Sequence, residues 1–341
     1  VHAIMDDSRP DILADIADAV RRTVGLQRHV HLVLENDDNA ARYLHRDDSG
    51  RPRWYDAQWN DDVHHVLHVL ATGEDRGYYA DYADRPLEHL GRCLTEGFAF
   101  QGEASAYRNG QSRGEPTERI PIEAFVAFVQ NHDQVGNRAF GERITALTSP
   151  EAVRAVTALL LLAPSPPLLF MGQEWGTRRP FPFFCDFEAD LAAGVTEGRR
   201  REFAAFPEFQ DPRALEKIPD PMAAETFRSA VLDWDQTAQP AGRQWLAFHR
   251  RLLAIRNKEI VPRLSGLSAR GRYTAHGPHA LTVQWPSADG TLLELHANLG
   301  PDSWEPPDRS AQQCLFRSHS SRDDRRLPPW SVSWYLVDQP R

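Results

Sequence analysis

Residues 124–133 read Ala-Phe-Val-Ala-Phe-Val-Gln-Asn-His-Asp, so an apolar run passes directly into two amides, a histidine and a carboxylate. A short continuous apolar run of this kind predicts a buried strand. In barrels of parallel strands covered by helices, functional side chains gather where the strands end. The stretch therefore predicts an α/β fold in which His132 and Asp133 lie at the functional edge of a parallel sheet.

The same pattern of an apolar run that ends in carboxylates occurs three more times along the chain. The runs 29–34, 55–59 and 167–171 end respectively in Glu35, in Asp61 with Asp62, and in Glu174. Helical periodicity fills the intervals at residues 10–24, 63–71, 87–95, 151–162 and 243–256. Four strands that alternate with helices predict the C-terminal half of a (β/α)8 TIM barrel, because the complete barrel contains eight such units.

The character of the sequence changes near residue 264. Short strand-like runs at 273–276, 281–285, 292–297 and 331–337 are separated by turn residues, which predicts a small antiparallel, sandwich-like β domain. We therefore expect two domains, residues 1–263 and 264–341. Residues 177–242 show weak periodicity, so we expect an irregular insertion there.

The composition limits the classes of partner. The formal net charge of −9 argues against nucleic acid, and the apolar stretch 155–163 is too short to span a membrane. The three cysteines, Cys93, Cys185 and Cys314, are odd in number and far apart. That pattern predicts neither a disulfide framework nor a zinc site, and it favours the cytoplasm. No cofactor and no metal are predicted.

The carboxylates at the strand ends are the candidate catalytic residues. Glu35 follows an apolar strand, at the rim of a barrel interior, where it is placed to act as a general acid; the alternative is an exposed loop glutamate. Asn131, His132 and Asp133 form a dense polar group that is suited to grip sugar hydroxyls. Alternatively, Asp133 caps the helix that follows.

Further side chains near the strand ends are candidates for substrate binding. Trp59 and Trp175 offer flat faces for sugar rings, or else belong to the core. Asp61 and Asp62 either bind substrate or cap a helix at Val63. The remaining candidates for binding are Tyr107, Arg108 and Glu174. His64, His65 and His68 lack a fourth ligand at a convincing spacing, so we expect helix-surface histidines or sugar contacts there, not a metal site.

Several of these segments resemble motifs of the α-amylase superfamily of glycoside hydrolases, in particular its trehalohydrolase branch. Residues 128–143 are similar to the fourth motif, residues 31–37 to the third motif, and residues 167–176 to the segment at the eighth barrel strand. The stretches 54–65 and 181–187 are similar to sequences of the trehalohydrolase branch. The resemblance covers nearly the whole chain and implies a TIM barrel that acts on an α-glucan.

The resemblance also implies roles for individual residues. Glu35 would be the acid/base, Asp133 the third carboxylate, and His132 a ligand of the same sugar ring. Val1 and His2 match the end of the family motif Arg-x-Asp-Ala-Val-His. The nucleophilic Asp would therefore lie two residues before Val1, so we expect residues 1–341 to be a fragment that is inactive alone.

The implied reaction is retaining hydrolysis of the α-1,4 bond next to the terminal trehalose unit of a trehalose-capped maltooligosaccharide, with release of trehalose. Two alternatives remain at this point. The first is a glycogen branching enzyme or another α-glucan-active enzyme, and the second is a non-catalytic glucan-binding fragment. All three readings require an α-glucan partner and none requires a cofactor.

Overall fold

The computed structural model describes residues 4–25, 27–204, 206–267, 270–307, 312–319 and 326–338. Its strands are β1 Val33–Leu34, β2 Ala57–Trp59, β3 Phe125–Phe128, β4 Pro167–Leu168, β5 Arg272–His276, β6 Ala280–Pro286, β7 Thr291–Asn298, β8 Gln312–Arg317 and β9 Ser331–Asp338. Its α-helices are α1 Ile12–Thr23, α2 Asp61–Thr72, α3 Ala80–Ala83, α4 Pro86–Glu96, α5 His132–Gly136, α6 Ile144–Leu147, α7 Pro150–Leu162, α8 Ala189–Phe203, α9 Pro212–Leu215, α10 Ala224–Ala230 and α11 Pro240–Ile255.

The first four strands form a parallel sheet in the order β1-β2-β3-β4. Leu34 pairs with Gln58, Trp59 with Val126, and Phe128 with Leu168, so the carboxyl ends of the strands face one edge. The predicted strands are therefore confirmed, although the paired segments have only two to four residues.

The helices between these strands carry the apolar faces that the periodicity predicts. Leu13 and Ala17 of α1 pack with Leu34 and Phe125, and α7 is buried along most of its length. Asp11 begins α1 by accepting a hydrogen bond from the backbone nitrogen of Ala14 at 3.0 Å. Burial of these apolar surfaces is the main free-energy contribution that stabilises the parallel sheet.

Arg256 closes the end of α7. Its guanidinium donates to the carbonyl oxygens of Leu161, Ala163, Pro164 and Ser165. The last carbonyls of a helix have no partner within the helix, and a cation near that end also complements the helix dipole. Burial lowers the pKa of Arg256 to about 10. The side chain thus links α7 to the turn that leads into β4.

The C-terminal strands form a separate antiparallel sheet in the order β5-β6-β7-β9-β8. Four of its strands match the predicted runs; β8 was not predicted, because Gln312 to Arg317 alternate too weakly between polar and apolar residues. The sheet packs against α4. Gly91 of α4 contacts the ring of Tyr273, and the indole nitrogen of Trp285 donates to the carbonyl oxygen of Leu94 at 3.1 Å.

The expectation of an irregular insertion at residues 177–242 is wrong in part, because it contains the 15-residue helix α8. The helix is mostly exposed and repeats Ala, Gly and charged residues, so it lacks the apolar stripe by which helices are recognised. It is anchored by Arg199, which donates to the carbonyl oxygens of Gly136 and Arg138 at 2.8 Å.

Contacts divide the chain into two compact units. Unit 1 contains residues 1–129, 151–168 and 251–341, and unit 2 contains residues 130–150 and 169–250. Both sheets belong to unit 1. The predicted boundary at residues 263–264 separates the parallel from the antiparallel strands along the chain, and as a domain boundary it stays a prediction. In the described part of the chain, no helix combines the length and apolarity needed to cross a bilayer.

Candidate active site

Glu35 lies directly after β1, at the carboxyl edge of the parallel sheet. The register that pairs Leu34 with Gln58 places it level with the end of β2. Its neighbour Asn36 is buried, and the carbonyl oxygen of Asn36 accepts a hydrogen bond from the side chain of Gln58 at 2.7 Å. Glu35 itself is exposed. The strand ends therefore hold the backbone beside Glu35 in place, while the residue itself remains accessible.

Arg108 connects its own loop with the segment that follows Glu35. Its guanidinium forms ion pairs with Asp37 at 2.8 Å and with Asp38, and it also donates to the carbonyl oxygen of Asp37. Arg108 is three-quarters buried, whereas the neighbouring Tyr107 is more than half exposed. The structure thus brings Arg108 next to the Glu35 segment, where it orders the loop, and leaves the Tyr107 ring accessible.

Asp62 is completely buried, and its carboxylate accepts four hydrogen bonds and forms one ion pair. The hydrogen-bond donors are the side chains of Asn39 and Tyr82 and the backbone nitrogens of Ala99 and Phe100, and the ion pair is with Arg113. The Arg113 guanidinium also donates to the carbonyl oxygen of Asp37 at 2.8 Å. The substrate contact predicted for Asp62 does not fit this position, because its oxygens are enclosed by protein donors.

Arg113 is a residue that sequence reasoning missed. It is buried and pairs with Asp62 at 2.9 Å, while the carboxylate and the phenol of Tyr82 beside it hold its pKa well above the usual value. Burial raises the pKa of Tyr82. An arginine in a polar loop gives no sequence signal of burial, since most arginines are exposed.

The start of α2 is organised by Asn60, not by the two aspartates. The Asn60 side chain accepts from the backbone nitrogen of Val63 at 3.4 Å and donates to the carbonyl oxygen of Gly97 at 2.6 Å. The predicted helix start at Val63 is therefore two residues late, and the cap predicted as the alternative role of Asp61 and Asp62 belongs to Asn60. Asp61 is nearly buried in the first turn.

Trp59 ends β2 and is half-buried. Its ring meets the ring of Phe128 edge to face, with centroids 6.0 Å apart. Edge-to-face contact leaves part of an aromatic face available. Of the two tryptophans predicted to stack on sugar, Trp59 is the one whose exposure suits that role.

The three histidines of α2 are not on the helix surface, and that part of the prediction is wrong. His64, His65 and His68 are all buried, because α2 packs between β3, α3 and α4. His64 contacts the carbonyl oxygen of Val129 at 2.6 Å, and His68 contacts Glu74 at 2.7 Å. Burial lowers the pKa of His65 well below the usual value, with the positive charges nearby acting in the same direction.

In unit 2, Asn131, His132 and Asp133 follow β3 along the chain. Asn131 is buried and caps α5, accepting from the backbone nitrogens of Asp133 and Gln134. The cap predicted as the alternative role of Asp133 is thus supplied by Asn131. His132 and Asp133 are exposed, and Asp133 accepts a hydrogen bond from Asn137 at 2.9 Å. Of these three, His132 and Asp133 present side chains to solvent.

Glu174 and Trp175 lie in a short turn after β4, also in unit 2. Glu174 is half-buried, and its charge partly offsets the burial that lowers the pKa of Arg143 to about 10. Trp175 is buried, so it offers little face to a sugar. The accessible aromatic side chain beside it is Trp234, with ring centroids 5.0 Å apart. Trp234 was not predicted, because it lies in the segment taken as irregular.

Comparisons with known proteins agree with these motifs. The chain is 37% identical over 291 residues to a malto-oligosyltrehalose trehalohydrolase of Arthrobacter ramosus, a match that covers 83% of this chain and 49% of that protein. It is 36% identical over 262 residues to the enzyme of the same name from Mycobacterium tuberculosis, covering 76% of this chain and 44% of that protein. The chain thus spans about half the length of the curated relatives it matches.

A solved structure is also similar to this chain over almost its whole length. A protein of Salmonella typhimurium, provisionally assigned as an α-amylase, superposes with a TM-score of 0.90 at 41% identity, covering 98% of this chain and 56% of that chain. Residues 268–334 also match a family model described as a domain of unknown function, DUF3459. The chain belongs to the α-amylase family of glycoside hydrolases. Within that family, it is similar to the malto-oligosyltrehalose trehalohydrolases.

Proposed function

We propose that this chain is part of a retaining α-glycosidase that cleaves the α-1,4 bond next to the terminal trehalose unit of maltooligosyltrehalose and releases trehalose. The observation that carries the proposal is the similarity to trehalohydrolases at 34–37% identity over 76–87% of the chain. The parallel sheet would be the second half of a (β/α)8 barrel, completed by strands upstream. Three free cysteines in the described structure support a cytoplasmic location.

In this proposal, Glu35 is the acid/base. It protonates the glycosidic oxygen as the bond to the leaving group breaks, while a nucleophilic carboxylate forms a covalent glycosyl intermediate. Glu35 then accepts a proton from the water that opens the intermediate, which regenerates both carboxyl groups. Its place at the end of β1, exposed and next to an anchored backbone, supports this role.

Asp133 and His132 would bind hydroxyls of the glucosyl ring at the cleavage point. Both residues are exposed, which supports this assignment. Asn131 supplies the helix cap, so Asp133 is not needed for capping. Trp59 and Tyr107 are the accessible aromatic candidates for the flanking subsites. We also propose that Arg108 acts on this site through Asp37 and Asp38, by ordering the loop next to Glu35.

The nucleophile would lie upstream of Val1, so residues 1–341 alone should not hydrolyse the substrate. Retaining enzymes need two carboxyl groups about 5–5.5 Å apart across the anomeric carbon. The test compares residues 1–341 with a version extended upstream through the complete barrel, both incubated with maltotriosyl-trehalose. We expect free trehalose from the extended protein alone. Equal release by both proteins would overturn the missing nucleophile, and new branch points without trehalose would indicate a branching enzyme.

A further inference from the structure

Two histidines and an aspartate face one another at the amino ends of β1 and β2. His29 and His31 precede β1, and Asp56 directly precedes β2. This is the opposite edge of the parallel sheet from Glu35. Within the described residues, the donor atoms of these three side chains form a group in which every pair lies within 4.8 Å.

The distances between the three donor atoms are compatible with the bond lengths of a bound metal ion. Nε2 of His29 lies 3.2 Å from Nδ1 of His31, and Oδ1 of Asp56 lies 3.6 Å and 3.9 Å from these two nitrogens. The point equidistant from the three atoms is about 2.1 Å from each of them. Zinc binds histidine nitrogen at about 2.0–2.1 Å and carboxylate oxygen at about 2.0–2.2 Å. A zinc ion at this point would therefore be within bonding distance of all three donor atoms.

The aspartate is held in the orientation that the site requires. Its other oxygen, Oδ2, accepts from the Arg21 guanidinium at 2.8 Å and from the backbone nitrogen of Leu32 at 2.7 Å. The backbone nitrogen of Asp56 in turn donates to the carbonyl oxygen of Leu32 at 2.8 Å. Oδ1 is thereby directed towards the histidines. Partners that fix a ligand in this way are typical of metal sites.

The two histidines remain accessible to an incoming ion. Their side chains are 59% and 76% exposed, whereas Asp56 is 14% exposed. Two imidazoles and one carboxylate suit Zn²⁺ and disfavour Mg²⁺ and Ca²⁺, which prefer oxygen ligands. We propose that His29, His31 and Asp56 form a zinc site, with water as the fourth ligand, that ties the amino ends of β1 and β2 together. The role would be structural, because this edge lies away from the proposed catalytic residues.

The test uses residues 1–341 prepared without a polyhistidine tag, and Zn²⁺ as the probe in isothermal titration. We expect one Zn²⁺ per chain, an affinity at least about tenfold lower in His29→Ala and in His31→Ala, and unchanged binding in the control His45→Ala. His45 is exposed and does not belong to the three-donor group. Zn²⁺ should also raise the thermal unfolding midpoint of the wild type and of His45→Ala, but not that of His31→Ala.

Two outcomes would overturn the proposal. The first is no binding of Zn²⁺ below about 100 μM, where a site of this kind should be occupied. The second is one-site binding that survives in both His29→Ala and His31→Ala, which would place the ion elsewhere. Circular dichroism spectra of the variants establish that they are folded. Neither measurement depends on glycosidase activity, so the site can fail while the proposed function stands.

Discussion

Arg113 forms an ion pair with the carboxylate of Asp62 at 2.9 Å, and both side chains are buried. The pair joins the first turn of α2 to the loop that contains Arg108, and Arg113 also reaches the backbone of Asp37. A charged pair in the interior is strongly destabilising when one partner is removed, since the other charge is left without compensation. The architecture around Glu35 therefore depends on residues that never face solvent.

Replacing Asp62 with Asn should lower the free energy of unfolding by about 3 kcal/mol, because Arg113 loses its counter-ion in a buried position. Urea unfolding followed by circular dichroism measures the change. Asp38→Asn is the matched control: it removes an ion pair to Arg108 that is half exposed on the aspartate side, and should cost less than about 1 kcal/mol. An equal decrease in the free energy of unfolding in the two variants would contradict the conclusion that the buried Asp62–Arg113 ion pair stabilises the fold.

Glu35→Gln in the upstream-extended protein should lower kcat by about 10²- to 10⁴-fold, because glutamine cannot transfer the proton to the leaving group. Initial rates of trehalose release from maltotriosyl-trehalose measure the effect. Glu118→Gln changes an exposed glutamate away from the strand ends and should keep the wild-type rate. Wild-type turnover in Glu35→Gln would exclude Glu35 as the acid.

Gly97→Ala should destabilise the chain by about 2–4 kcal/mol, for two reasons that add. Gly97 ends α4 with φ of +98°, and a Cβ atom there would lie 2.4 Å from the ring of the buried Phe125. Gly73→Ala is the control, because Gly73 ends α2 with φ of +75° but has open space around it. Its cost should be about 1–2 kcal/mol from backbone strain alone. Thermal and urea unfolding distinguish the two values.

The buried His65 should make stability depend on pH. Burial lowers its pKa in the folded state, so only the unfolded state gains a proton as the pH falls below about 6.5. The stabilising contribution is therefore complete above pH 6.5 and is lost towards the lower pKa of the folded state. Lowering the pH from 7.5 to 5.5 should therefore reduce the free energy of unfolding through this residue.

The measurement for His65 is the difference in unfolding free energy between the two pH values, in the wild type and in two variants. His65→Phe should reduce this difference, whatever its effect on absolute stability. His45→Phe replaces an exposed histidine and should leave the difference close to that of the wild type. An unchanged pH dependence in His65→Phe would show that His65 does not titrate between the two states.

The order of the parallel strands could be predicted because each apolar run ends in polar residues and is followed by a helix with one apolar face. Boundaries were less accurate. The run 29–34 predicts a six-residue strand, but only Val33 and Leu34 pair with β2. Apolar residues indicate that a segment is buried. Which of them form backbone hydrogen bonds depends on where the neighbouring strand begins, and one run of sequence does not show where that strand begins.

For the candidate site, the sequence likewise predicts the positions of the residues but not their burial. Sequence position identified the strand-end carboxylates, and the structure separates them by burial: Glu35 and Asp133 are exposed, whereas Asp62 is enclosed. Adjacent aspartates cannot be assigned to solvent or to a buried network until the partners of each are known. For Asp62, those partners are up to 51 positions away along the chain, at Arg113. The convergence of Glu35 and Asp133 at one edge stays a prediction.

The four carbonyl oxygens held by Arg256 have a consequence for the synthesis of the protein. Arg256 lies 93 residues beyond Ala163, so the ribosome completes α7 long before the guanidinium exists. At ordinary elongation rates of about 5–20 residues per second, the interval is about 5–20 s. Throughout that time, the end of α7 and the turn into β4 rely on water for their hydrogen bonds. Nascent chains paused before residue 256 should therefore be cleaved by protease near residues 163–166, and those released after it should resist.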